Sequence, residues 1–193
     1  MNAGKWIASA LLGLGAALAV SQASAQGFYM GASFGKTDAD SGNAVPDLIT
    51  SGSVDGTDSG IKLFGGFAFS RNVALEMAYV DLGKLTYSGS YGFVPVTGGT
   101  LETSGFNFAF VGTIPLNPNF SIFGKLGMFM WEAEARDVTG GFPFSQTIDD
   151  VDISYGFGAA YNFNKSFSVQ AEWEQYEAVD TISLLSVGVV FRF

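Results

Sequence analysis

Glu76 stands between Leu75 and Met77, and Lys62, Lys125, Glu172 and Arg192 are likewise each flanked on both sides by apolar or small residues. On an extended backbone adjacent side chains point to opposite faces, so each charge is turned away from its apolar neighbours. Tyr29, Asn107 and Gln170 fall on the same face as these charges. Carboxylates and ammonium groups placed this way can make an ion-pair network, and across a narrow passage that network would gate ions. Counted from the nearer tight turn, Glu76, Lys125 and Glu172 lie about equally far along their segments. We expect one charged layer in which Lys125 bridges Glu76 and Glu172, with Lys62 and Arg192 nearer the two ends.

Acid–base catalysis is the rival chemistry. The chain has no His, which removes the usual general base at neutral pH. The carboxylate pairs Glu132 with Glu134 and Asp150 with Asp152 lie in or beside polar stretches and read as solvated charge rather than as a catalytic dyad. Asp149, Asp150 and Asp152 offer hard oxygen ligands for a divalent cation bridging to lipopolysaccharide phosphate, but their spacing does not form an ordered calcium loop. We therefore expect no catalytic residue, no resident metal and no cofactor. The absence of Cys rules out a disulfide framework. The formal charge of −9 becomes −10 once Lys5 is removed with its leader, which argues against a nucleic-acid partner.

The elements that would position the charges are strands. In residues 184–193, Leu185, Val187, Val189, Phe191 and Phe193 alternate with Ser186, Gly188, Val190 and Arg192. The same period of two recurs upstream, at about 27–36, 59–69, 73–83, 103–114, 120–134, 151–161 and 167–176. Residues 70–72, 115–119 and 162–166 read as tight turns, because Pro and Asn set turn geometry and do not extend a central strand. Residues 37–58, 84–102 and 135–150 read as long polar loops, with a smaller one near Asp180. Tyr87, Tyr91 and Phe93 in the second of these would serve a surface partner.

So many strands with short turns at one end and mostly long loops at the other imply an all-β, eight-stranded antiparallel up-and-down transmembrane β-barrel. No helix is expected to cover so much apolar surface, so lipid must. Gly at 26 copies, Phe at 19 and charged residues at 14% suit a barrel with small lumen residues and aromatic rings outside. A soluble barrel would alternate with its apolar side inward instead. Residues 1–25 read as a cleaved signal peptide: Lys5, an apolar run from Trp6 to Val20, then Ala23, Ser24 and Ala25 as a small-x-small cleavage site. Residues 26–193 form the barrel, located in the outer membrane of a Gram-negative bacterium. Expected partners are outer-membrane lipids, lipopolysaccharide and the insertion machinery, with the barrel itself a monomer. Aromatic girdles are expected from Phe28, Phe69, Phe120, Phe167 and Phe193 at the turn end, and from Tyr79 and Trp173 at the loop end.

The runs Phe28-Tyr29-Met30-Gly31, Phe64-Gly65-Gly66, Glu76-Met77-Ala78-Tyr79 and Leu82-Gly83 carry a family resemblance. Lys125-Leu126-Gly127, Trp131, Glu172-Trp173, Leu185-Ser186-Val187-Gly188 and Phe191-Arg192-Phe193 continue it. In this order the chain resembles the OmpA-type transmembrane domain from Phe28 to Phe193, with that family's periplasmic peptidoglycan-binding domain expected to be missing. The resemblance implies a role in outer-membrane structure and integrity, with a narrow low-conductance lumen gated by the charges. It also implies an insertion signal at Phe191 and Phe193. Val111, Ala160 and Gln170 stand where the family's gate carries charges. The alternative is a surface adhesin or receptor acting through the long loops.

Overall fold

The computed structural model describes residues 27–39, 51–55, 57–91, 94–139, 142–178 and 181–193. The nine strands are β1 (Gly27–Ala39), β2 (Ser51–Asp55), β3 (Thr57–Ala68), β4 (Val73–Tyr91), β5 (Val94–Pro115), β6 (Phe120–Thr139), β7 (Phe142–Asn162), β8 (Phe167–Glu177) and β9 (Thr181–Arg192). Every pairing is antiparallel, and β2 and β3 pair with successive stretches of β4, so together they fill one barrel position. β9 returns to β1 over the register Tyr29↔Arg192 to Ala39↔Ile182, which closes an eight-stranded barrel. Closure removes the sheet edge that lipid would leave unsatisfied.

One device makes all three tight turns. The side-chain oxygens of Ser70, Asn117 and Asn164 each accept from the backbone amides two and three residues on, at 2.8–3.2 Å. A short polar side chain thus satisfies donors that the turn would otherwise strand.

Burial alternates with the opposite sign from a water-soluble barrel. Val187 is 65% exposed and Leu126 59%, while Lys62 is fully buried. Following each strand upward from the turns, the outward residues stay apolar until Lys36, Ser59, Asp81, Ser104, Glu132, Asp149, Gln175 and Ser183. These first polar positions lie in or near register: Asp81↔Ser104, Ser104↔Glu132, Glu132↔Asp149 and Gln175↔Ser183 are direct partners. They draw one edge of an apolar band around the barrel. The outward stretch of β6 below that edge, Phe120 to Met130, rises about 25 Å at roughly 3.4 Å per residue and a roughly 40° tilt. That matches the apolar height of an outer-membrane barrel.

Above the edge the structure departs from the expected loops. Residues 84–91 and 94–102 continue β4 and β5, while 135–139 and 142–150 continue β6 and β7. These extensions pair with each other from Lys84↔Glu102 to Tyr91↔Val94 and from Ala135↔Gln146 to Thr139↔Phe142. They form a wall that stands above the band, while β8 and β9 stop close to its edge. Water meets the outer face of this wall, so apolar alternation is lost although Thr and Val keep the backbone extended. A bulge marks the transition on β4: Gly83 has φ of 80°, and the register shifts between Asp81 and Lys84. There Gly83 N–H donates to Asp81 Oδ1 at 2.9 Å and Lys84 N–H to Asp58 Oδ2 at 2.6 Å. Only Gly takes that φ without strain.

Candidate functional site: a buried charge layer over a turn-end cavity

Inward positions of β3, β4, β6 and β8 bring Lys62, Glu76, Lys125, Glu172 and Glu174 together inside the barrel. Lys125 Nζ lies 2.6 Å from Glu76 Oε1, 2.8 Å from Glu172 Oε2 and 3.8 Å from Glu174 Oε1. Lys62 pairs with both Glu172 and Glu174. Below the two ammonium groups lies the Phe64 ring, whose centroid is 5.3 Å from Lys62 Nζ and 5.4 Å from Lys125 Nζ. Ammonium over a ring face adds a further attraction.

Tyr29 OH completes the layer by donating to Glu76 Oε2 at 3.0 Å. The Tyr29 ring lies over the neighbouring strand to reach Glu76 because Gly66, its direct partner, has no side chain; a Cβ there would collide with the ring. Gly31 makes the same room for Phe64. Removing charges from water costs several kcal/mol each, and close opposite charges with added hydrogen bonds offset that cost. The layer is over-determined in this sense, since each ammonium serves two or more carboxylates.

Toward the loop end the lumen is filled mainly by apolar side chains, with Asn107, Ser154, Thr37 and Thr103 buried among them. Val80, Leu82, Ile182 and Leu184 are almost wholly buried there, and the Phe129 and Tyr176 rings pack with centroids 4.8 Å apart. Trp131 follows, its indole N–H donating to Asp152 Oδ2 at 2.9 Å. On the turn side of the charges the interior opens into a cavity of about 820 Å³, reaching from Tyr29, Glu76 and Lys125 to the turns.

The placement of the expected residues differs in several respects. Lys62 belongs to the central layer and not to an end, because its long stem reaches down to Glu172 and Glu174. Arg192 lies at the turn end, the end position expected of it, donating to Asn162 Oδ1 at 3.1 Å and Ser168 Oγ at 2.9 Å. Glu174 was not among the expected residues, although the alternation that turns Glu172 inward applies to it equally. Asn107 is buried and accepts from Ser154 Oγ at 2.7 Å.

Asp149, Asp150 and Asp152 do not gather on one face. Alternation points Asp149 away from the other two, and Asp152 is engaged by Trp131. Together with Glu132 and Glu134 they sit on paired strands and not in loops. Phe191 and Phe193 point outward, 47% and 57% exposed, with ring centroids 5.1 Å apart. Further ring pairs at the turn end join Phe28, Phe67 and Phe69 on one side and Tyr161, Phe163 and Phe167 on another. Trp173 packs on Tyr155 and Phe157. Phe93 and the side chains of Tyr87 and Tyr91 lie outside the described residues, as does the expected signal peptide.

Comparison with known proteins agrees with this architecture. Outer membrane protein A of Yersinia pseudotuberculosis is 25% identical over 145 residues, 69% of this chain and 40% of that protein. Outer membrane protein A of Serratia marcescens is 23% identical over 192 residues, 93% of this chain and 48% of that protein. The chain thus spans less than half the length of these relatives. Ail, the attachment invasion locus protein of Yersinia pestis, superposes with a TM-score of 0.54 at 15% identity, covering 87% of this chain and 97% of that one. The N-terminal β-barrel domain of Pseudomonas aeruginosa OprF superposes with a TM-score of 0.52 at 14% identity, covering 89% and 100%. The family described as outer membrane protein beta-barrel domain matches residues 7–193. This chain belongs to that family, and its strands span the bacterial outer membrane.

Proposed function

We propose that the protein is a structural, integrity-supporting barrel of the outer membrane whose lumen is sealed in its resting state. The observation that supports this is the stack of two closures: the buried charge layer, then the apolar layer around Phe129 and Tyr176. An ion crossing the barrel would have to displace both. A gate built from ion pairs alone would open when one pair is removed, whereas the apolar layer stays shut.

Single-channel recording of the wild-type protein and of Lys125→Ala and Glu76→Ala in planar bilayers tests this reading. We expect no conductance steps in any of the three. Steps in the wild type that change size in Lys125→Ala would overturn the sealed reading in favour of an ion-pair gate. In cells, loss of the protein should raise sensitivity to detergent, and Lys125→Ala should restore resistance to the extent that it still folds.

The wall formed by β4 to β7 favours a second reading, a surface adhesin or receptor, and Ail is named for attachment and invasion. Deleting residues 86–100 while keeping the band intact separates the two readings: loss of host-cell binding supports adhesion, whereas loss of detergent resistance supports structure. During assembly the outward Phe191 and Phe193 serve as the terminal aromatic signal for insertion. Deleting Phe193 should strand the chain in the periplasm, and normal insertion after that deletion would refute the role.

A further inference from the structure

The charge distribution along the barrel axis is one-sided. Among the described residues, the three tight turns and the strand ends beside them carry Arg71, Lys165 and Arg192 but no acidic side chain, in a chain of net charge −9. Going up from the turns, the first side-chain carboxylates are those of the buried layer. The cavity on the turn side is lined by Arg71, Lys125, Lys165 and Arg192, with Glu76 at its ceiling. Both Glu76 oxygens are already engaged, by Lys125 at 2.6 Å and by Tyr29 at 3.0 Å. The side chains lining the cavity therefore carry a net positive charge.

Two side chains there have donors to spare. Arg192 is half-buried and uses only Nη1, toward the neutral Asn162 and Ser168. No carboxylate among the described residues pairs with it. One inward step above Ser168 on β8, the amide nitrogen of Gln170 lines the same cavity, is buried, and has no hydrogen-bond partner. A half-buried guanidinium without a counter-charge and a stranded amide donor both cost free energy in the empty barrel. One ligand would relieve both costs.

We propose that the turn-end cavity is a binding site for a small anion, a phosphate- or carboxylate-bearing solute entering from the turn side of the membrane. The free edge of the Arg192 guanidinium offers the planar fork that matches either oxyanion, and Gln170 N–H adds a donor deeper in. Arg71 and Lys165 at the mouth raise the local anion concentration. Lys125, although it lines the ceiling, is held by carboxylates and contributes mainly field. This site needs only residues of the turn-end cavity, so it stands whether or not the lumen conducts.

The test is a titration of the micelle-folded, full barrel with inorganic phosphate and, separately, with succinate, followed by nitrogen NMR of the Gln170 side-chain amide and Arg192 Nε. We expect a saturable shift of both signals with at least one probe at 150 mM NaCl. The probe that saturates identifies the oxyanion class. Arg192→Gln should weaken that binding at least tenfold, with heat-dependent gel mobility confirming that it folds. Gln170→Leu should weaken it severalfold and serves alone if Arg192→Gln does not fold. Arg71→Gln combined with Lys165→Gln should slow association and keep the saturable shift. The proposal is overturned if neither probe saturates, if folded Arg192→Gln binds as the wild type does, or if Gln170→Leu does. It is also overturned if only the rim double substitution abolishes binding, which would mean adsorption at the mouth.

Discussion

The band and the wall are made of the same strands and obey different rules. β6 carries Leu126, Met128 and Met130 outward in the band, then Glu132, Glu134 and Arg136 outward in the wall, without a break in its pairing to β7. What changes is the solvent outside. Lipid demands an apolar outer face and leaves the charges no place except the lumen, while water demands nothing of the wall beyond a satisfied backbone. The strand is set by pairing; the pattern is set by the medium.

Substitutions that act on one region and not the other would break or sharpen this contrast. The largest effect is expected in the lumen of the band. Lys125→Met leaves Glu76 without its ammonium and Glu172 and Glu174 dependent on Lys62 alone, which should cost about 3–5 kcal/mol. A lowered urea midpoint of the micelle-folded barrel would show it. An unchanged midpoint would mean that the buried layer contributes nothing net. Next comes a matched pair of outward substitutions. Val187→Lys, in the band, should cost about 2–4 kcal/mol in bilayers. Thr147→Lys, in the wall, should stay within about 0.5 kcal/mol. Equal costs would place the lipid boundary wrongly.

Smaller effects follow at the ends of the band. Asn117→Ala and Asn164→Ala each remove the acceptor for two turn amides, at 2.8–2.9 Å, and should cost about 1 kcal/mol each. The smallest is Lys84→Ala in the wall. Lys84 pairs with Glu102 at 2.5 Å with both side chains nearly half exposed, so the loss should stay below about 0.5 kcal/mol and vanish in high salt. The Lys84 hydrogen bond holds the Glu102 carboxyl below its ordinary range. This small contribution is present above that range and is lost as pH falls through the lowered value. A pH scan of unfolding at low salt, with and without Lys84, reads it.

The sequence was legible wherever two media flank a strand. Val187 against Ser186, or Leu63 against Lys62, state their faces because a wrong face costs kilocalories. Residues 84–102 and 135–150 look like loops in sequence because Ser, Thr, Gly and acidic residues on both faces erase the alternation, while hydrogen bonding to the hairpin partner leaves no mark on composition. Within the site, alternation gives only inward or outward. It does not give the height at which a long Lys stem ends, so the backbone position of Lys62 points to an end although its ammonium meets Glu172 and Glu174. Glu174 is legible from its phase with Glu172, because alternation turns both inward past Trp173.

The central claim is that a charge layer and an apolar layer seal the barrel above a cavity open only at the turns. The chain contains no Cys, so single cysteines report without interference. Ala160 lines the turn-end cavity and Ala78 lies buried in the apolar core of the sealed lumen. Oriented vesicles carrying Ala160→Cys or Ala78→Cys would be treated with a membrane-impermeant thiol reagent from each side in turn. The account predicts that position 160 reacts from the turn side alone and that position 78 reacts from neither. Labelling of position 160 from the loop side, or of position 78 from either, would contradict it.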